Sequence, residues 1–399
     1  MRSIDFSDGF TSSGAPTGNS IGATGFTGYA TDAAYVSAKG SAAANGDAYY
    51  NSTWHVLRCY VNSNWISIHE GAPNFIMNGN FDHWQRGTSS TGITSTTRSY
   101  GNADRWCAWV GSAATSMAYS RSTLVPTPTV TGAGSKYSFN FQRTAGNTGT
   151  TGAFIAQAIE TLVFSQLQGK LCTLSFWAKA GTNFSAASSQ MEVLVQSGTG
   201  TDEVPSSAYT GAVSQVASVL QTISTTWTRY QFTFTFPTTA TEAKVRFGFY
   251  GVGTAGADDS ISIAQVMLAP GGQDRPFTYH GGSSIMDLRA CQRYYEKSYA
   301  QGVDPATSTS VGAILWRASG TSVEYVGRFQ VPKRIALSTI TLYSTDGTAA
   351  NIRDVTGAAN AAATTSSTYT GDTGFFAQKT TAGTDQSLYA MHFTSAAEI

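Results

Sequence analysis

The chain has 399 residues with 24 basic and 24 acidic side chains, and charged residues make up only 12% of it, against a usual share of about 25%. Neutrality with only scattered arginines (Arg143, Arg229, Arg246) argues against a nucleic-acid partner, and no run of about 18 apolar residues exists to insert into a membrane. Forty-one glycines, long Ser/Thr/Ala tracts and 12% aromatics favour short strands joined by polar turns, hence a mostly β protein.

Residues 1–30 ("SSGAPTGNSIGATGFTGYA" within them) have little periodicity and read as an extended arm ordered by contact with something else. Its opening, "MRSIDFSDGFTSSG", has acids and no apolar core, so no signal peptide is expected. Cys59, Cys107, Cys172 and Cys291 form no CxxC pair and are expected as reduced, mostly buried thiols. Residues 31–72 contain Tyr49-Tyr50, Trp54-His55-Val56-Leu57, Cys59-Tyr60-Val61 and Trp65-Ile66, short runs that predict a small β meander. Residues 73–282 alternate repeatedly: "YSFNFQR" puts Tyr137, Phe139 and Phe141 on one face, and "LCTLSFWAKA", "MEVLVQS", "YQFTFTF", "KVRFGFY" and "ISIAQVML" follow the same habit. Several such strands joined by polar loops predict a jelly-roll β-sandwich. In 283–300, Ser284 and Asp287 resemble a capping box. Ile285, Leu288, Gln292, Tyr295 and Tyr299 keep a 3-4-3-4 rhythm, which predicts a linking helix. Residues 301–399 return to β runs ("GAILWRA", "SVEYVGRFQVP", "STITLYSTDG", "GFFAQ", "LYAMHF") and predict a second, smaller β domain.

No catalytic pattern emerges. A glycosidase needs two carboxylates flanking one bond, and Glu160, Glu192, Asp202-Glu203 and Asp258-Asp259 read as solvated acids in turns or on strand faces. The five histidines make no HExxH, and GxSxG is absent. "GVGTAGA" at 251–257 lacks the Lys-Ser/Thr of a phosphate loop and reads as a strand connection. The chain is expected not to be an enzyme.

The stretch "FIMNGNFDHWQRGTSS" (75–90) followed by "ADRW" (103–106), with "LSFWAKA", "QVMLAPGGQDRPFTYH" and "LRACQRYYEKSY", resembles the tail-fibre and appendage proteins of tailed bacteriophages. In that group an NGxFDxWQRG…ADRW opening begins a domain like the jelly rolls of carbohydrate-binding modules, and the LxxCQRYYEKS segment leads to a terminal β module. The resemblance implies a homotrimeric, non-enzymatic virion component assembled in a bacterial cytoplasm, docked to other virion proteins through the N-terminal arm. A bacterial surface glycan is the implied outer partner. A head fibre, collar or baseplate decoration without a receptor is the alternative, and a depolymerase tailspike a third. No cofactor is implied beyond a structural calcium at Asp82, which such jelly rolls often hold against acids of the last strand. Here that strand has Ala264 and Gln265, with Asp258 and Asp259 just upstream as substitutes.

Within the opening motif, Phe81 and Trp84 are expected as anchors of the first strand. Arg86 with Asp104-Arg105-Trp106 is expected as a polar staple built on an Arg–carboxylate pair. Sugars pack their C–H faces on exposed rings beside polar groups. Trp109, Trp227, Tyr250 and Trp316, near strand ends or loops, are the candidate ligand contacts. Tyr369 and Phe375, with Phe376, are further candidates in a loop at the C-terminal tip.

Overall fold

The computed structural model describes residues 20–21, 26–51, 56–61, 64–68, 73–101, 103–126, 135–272 and 275–399. The chain forms two compact units, one from residues 1–72 with 273–275 and the other from 73–272 with 276–399. Most of the expected arm, and Trp54 and His55, lie outside the described residues.

In the first unit a five-stranded sheet runs in sequence order: β1 (Ser20–Ile21), β2 (Phe26–Tyr29), β3 (Ala48–Asn51), β4 (Val56–Val61) and β5 (Asn64–Ile68). It is not the simple meander that the sequence suggests. β2 and β3 pair in parallel, and α1 (Asp32–Lys39) makes the crossover, as a parallel pair requires. Thr31 caps α1 by accepting from the Ala34 amide at 3.0 Å, and Gly40 ends it at φ 72°. Asp32 in its first turn takes two hydrogen bonds from Arg58, at 3.1 and 2.8 Å.

In the second unit the strands from residue 89 to 270 are β6 (Ser89–Ile93), β7 (Cys107–Val110), β8 (Met117–Ser122), β9 (Ser138–Arg143), β10 (Ala153–Ile159), β11 (Leu171–Ala180), β12 (Gln190–Gly198), β13 (Val213–Thr222), β14 (Thr228–Thr235), β15 (Glu242–Phe249) and β16 (Ser260–Pro270). They form a five-stranded sheet, β13-β12-β15-β10-β7, and a six-stranded sheet, β14-β11-β16-β9-β8-β6. The two pack face to face as the expected jelly-roll-type sandwich. Period-2 alternation places one set of side chains between them. Phe176 meets Phe247 across the gap at 4.7 Å, and Phe141 meets Phe249 at 5.5 Å. α2 (Thr161–Phe164) follows β10 and buries Phe164 in the same core.

Two acids expected at the surface are instead part of this scaffold. Asp259 and Arg143 are both fully buried and paired at 2.9 Å. Arg143 also donates to the carbonyls of Asn147 (2.9 Å) and Gly253 (2.8 Å), so it pins the Gly-rich 251–257 connection. Glu160, 2% exposed, pairs with Arg293 at 3.3 Å.

α3 is shorter than predicted, Ser284–Gln292, and its N-cap is Ser283 rather than Ser284. The heptad-like seam is corrected too: Ile285 is 71% exposed, whereas Asp287 and Cys291 are buried. The helix stops because the next residues enter a sheet. β17 (Tyr295–Lys297) pairs Tyr295 with Ala396. β18 (Ile314–Arg317), β19 (Glu324–Arg328), β20 (Thr339–Tyr343), β21 (Asn351–Asp354), β22 (Ala359–Thr365), β23 (Gly374–Lys379) and β24 (Leu388–Ala396) complete an eight-stranded sheet in which β24 pairs with β17, β18, β20 and β21. All four cysteines are free thiols, and three are buried. No helix among the described residues is long and apolar enough to cross a membrane.

Candidate functional site

The opening motif is a knot of side chains. Asn78 and Phe81 adopt left-handed backbones at φ 51° and 56°, so the chain doubles back. Asn78 then donates to the carbonyls of His83 (2.9 Å) and Asp104 (3.1 Å) and accepts from the His83 amide at 3.0 Å. Trp106 donates to the Asn78 carbonyl at 3.2 Å, and Trp84 to the Phe81 carbonyl. Phe81 and Trp84 are buried against Phe139 at 5.4 and 5.6 Å.

Asp104 accepts from the Gln85 amide at 3.2 Å and side chain at 2.7 Å and lies in an ion pair with Arg86. The Arg86–Asp104 separation is 3.9 Å, too long for a hydrogen bond. The close partner is Glu398. It bridges Arg86 at 2.9 Å and, closer still, Arg105. The two guanidinium groups lie on consecutive rings, Arg86 over Tyr295 at 3.6 Å and Arg105 over Tyr294 at 3.4 Å. The motif therefore fastens the C-terminal residues to the sandwich. Glu398 is 312 positions from Arg86 and 293 from Arg105 and was invisible in the sequence.

The three acids considered for calcium have separate partners. Asp82 accepts from Tyr279 (2.9 Å) and Asn80 (3.2 Å), whereas Asp258 bonds Thr182 (2.8 Å) and Ser260 (2.7 Å) and Asp259 faces Arg143. No trio of His, Cys, Asp or Glu converges among the described residues.

The candidate ligand rings separate into several places. Trp109 is 5% exposed and Phe375 1%; both are in cores, which removes them as direct contacts. Phe375 packs on Phe393 at 4.8 Å. Trp316, half-buried, leans on Tyr325 (5.3 Å) and Tyr389 (5.9 Å). Trp227 sits in the β13–β14 turn with the Lys179 ammonium 5.7 Å from its ring. Tyr369 is 70% exposed and touches Phe376 at 5.5 Å.

Trp109 and Tyr250 meet through Phe154 on the outer face of the five-stranded sheet. Strand register lines up Trp109, Phe154, Gly248, Glu192 and Leu220 as successive cross-strand partners. Phe154 lies flat over Gly248, where a Cβ would come within 2.4 Å of the ring. It touches Trp109 at 5.5 Å and Tyr250, edge-on, at 5.7 Å. Tyr250, 45% exposed, donates to Glu192 at 3.1 Å. Arg246 donates to the other Glu192 oxygen through Nε at 2.8 Å and also through Nη2. Burial, and then the Glu192 charge, raise the Tyr250 hydroxyl pKa. Glu192 is only 3% exposed, so the solvated acid expected there is instead the buried brace of an exposed ring and a partly exposed guanidinium. Phe154, Glu192 and Arg246 were missed because only strand register places them beside Tyr250.

The same face carries a carboxyl pair that resembles a catalytic dyad. Burial lifts the Glu242 pKa to about 7, whereas hydrogen bonds from Thr210 lower that of Glu203. Glu242 accepts from the Glu203 amide at 2.7 Å, and Glu203 accepts from the Thr210 amide at 2.7 Å. Glu203 spends both oxygens on Thr210 in closing the 199–212 loop, whereas Glu242 keeps one buried oxygen without a hydrogen-bond partner.

No family profile matches the chain, and no curated protein matches it in sequence. Among solved structures, the enzymatically active domain of tailspike protein 4 of bacteriophage CBA120 aligns at 15% identity and a TM-score of 0.29, over 49% of this chain and 21% of that one. This chain thus spans about a fifth of the tailspike it matches. A family 4 carbohydrate-binding module aligns at 19% identity and TM-score 0.28, over 49% of this chain and 98% of its own. A family 61 module in complex with β-1,4-galactotriose aligns at 15% and 0.27, over 50% and 100%. At these scores the likenesses assign no function to this chain.

Proposed function

We propose that this protein is a non-enzymatic virion component of a tailed bacteriophage, a trimeric tail fibre that helps adsorption by holding a host-surface glycan on the outer face of its five-stranded sheet. The observation that carries the reading is the Tyr250–Arg246–Glu192 group. An exposed ring offers a sugar its apolar face, and a braced guanidinium beside it offers hydrogen bonds to hydroxyls. The phage character rests on the NGNFDHWQRG…ADRW and QRYYEKS resemblance, and the N-terminal arm is the segment proposed to meet other virion proteins.

The reading is tested by adding purified protein to host cells. It should stain them, compete with phage adsorption and release no reducing sugar from capsule or lipopolysaccharide. Absence of both staining and competition would leave a head-fibre, collar or baseplate decoration; released sugar would make the chain a depolymerase.

A further inference from the structure

The charges on the Tyr250 face are arranged to cancel. Glu192 is 3% exposed and spends both oxygens: one accepts from Nε and Nη2 of Arg246, the other from the Tyr250 hydroxyl at 3.1 Å. The Arg246 guanidinium carbon also lies 4.8 Å from the centre of the Phe154 ring, so the group is held from two sides. Its remaining nitrogen, Nη1, has no partner among the described residues and is not closed off from solvent. The next cation on this face of β15, Lys244, is 2% exposed and donates to the Ser207 carbonyl at 2.6 Å, so it brings no second positive charge to the surface.

A sugar reaching this face meets the open Tyr250 ring and the N–H groups of a guanidinium whose charge Glu192 already matches. A carboxylate leaving water to sit there would find no uncompensated cation and would stand near the Glu192 charge. Burying a charge without a partner is costly, and such a mismatch is how a site rejects the wrong ligand. A neutral ring carries no such cost, and its C–H face can lie on the tyrosine while a hydroxyl accepts from Nη1.

We infer that Glu192 sets the sugar class of this face: acidic sugars are rejected, and a neutral sugar stacks on Tyr250 with one hydroxyl accepting from Arg246 Nη1. The inference rests on the Tyr250 face being the sugar site. Glu192 is a positioning residue, because it acts through Arg246 and Tyr250.

The test is a ligand-observed NMR titration of the full chain with glucose, galactose and N-acetylglucosamine as neutral probes and sodium glucuronate and galacturonate as acidic ones. At least one neutral probe should bind saturably, at least about tenfold tighter than either uronate, and added salt should leave its affinity unchanged, since no net charge is engaged. Glu192→Gln keeps an acceptor for Arg246 but leaves the guanidinium charge unmatched. It should move the neutral-to-acidic ratio at least about tenfold towards the uronates and make their binding weaken with salt, which loss of packing alone would not do. Glu192→Gln/Arg246→Gln, with neither charge, should restore the neutral preference. Uronates binding wild type as tightly as the neutral sugars, or an unchanged ratio in a folded Glu192→Gln variant, would overturn the inference and leave the face as a sugar site. Binding that survives Tyr250→Ala, or no binding of any probe, would remove the face and the inference together.

Discussion

Glu398 and Asp287 illustrate two ways in which a buried acid shapes this protein. Glu398 sits between two guanidinium groups, and its partner Arg105 is 1% exposed. Removing one member of a buried pair leaves the other charge uncompensated, so Glu398→Ala should lower stability by about 3–5 kcal/mol in chemical denaturation. A loss near zero would mean that the bridge is not formed in solution. Asp287 accepts from the Asn78 amide at 2.9 Å, yet burial lifts its pKa from 3.8 to about 7. The folded chain therefore holds this proton more tightly than the unfolded one. Its contribution favours folding at low pH and is lost as pH rises from about 4 to about 7. Asp287→Asn keeps an acceptor for Asn78 and cannot ionise, so Tm measured across that range should decline less than in wild type; an unchanged slope would contradict the assignment. Sequence alone gave no sight of these roles. Glu160, Glu192 and Asp259 looked like solvated acids because their arginines, Arg293, Arg246 and Arg143, are 54 to 133 positions away.

Strands were legible wherever one face was buried, as in "YSFNFQR", where Phe139 and Phe141 point into the core. The helix start was legible to within one residue, with Ser283 rather than Ser284 as its cap, and its end was illegible because Tyr295 is claimed by Ala396 of the last strand. α1 was missed because its short Ala-rich turn buries no residue that would print a helical period. β16 carries a further long-range constraint. The register of its pairing with β11 shifts near Gln265, which has φ 50°, and Val266 bonds the motif backbone through Gly79 at 2.8 Å. A Cβ on Gly79 would sit 2.0 Å from the Val266 carbonyl oxygen, whereas one on Gly371 would meet nothing within 4 Å. Gly79→Ala should consequently cost more than about 4 kcal/mol and Gly371→Ala little, both read by thermal and denaturant unfolding. Similar effects from the two would remove the close approach as the reason for glycine in the motif.

At the scale of the molecule, β13 ends the five-stranded sheet and leaves Val213 and Val219 48% and 39% exposed. Open edges with apolar side chains are surfaces that proteins commonly cover, which supports the proposed trimer. Light scattering should then give about three times 42.0 kDa for the full chain; a monomer would remove the trimer from the account. The sandwich class was readable from alternation, but the glycan face was only half readable: Tyr250 was visible as an aromatic at a strand end, while Phe154, Glu192 and Arg246 join it only through the β12–β15–β10 register. That face carries the functional claim, so the most direct measurement is a glycan array of host-surface oligosaccharides probed with wild type and Tyr250→Ala side by side. The account predicts retained signal for wild type, a loss of at least about tenfold for the variant, and a cooperative unfolding transition for both, the variant losing only the Phe154 edge contact and one hydrogen bond to Glu192. Wild-type binding that survives Tyr250→Ala unchanged would contradict it.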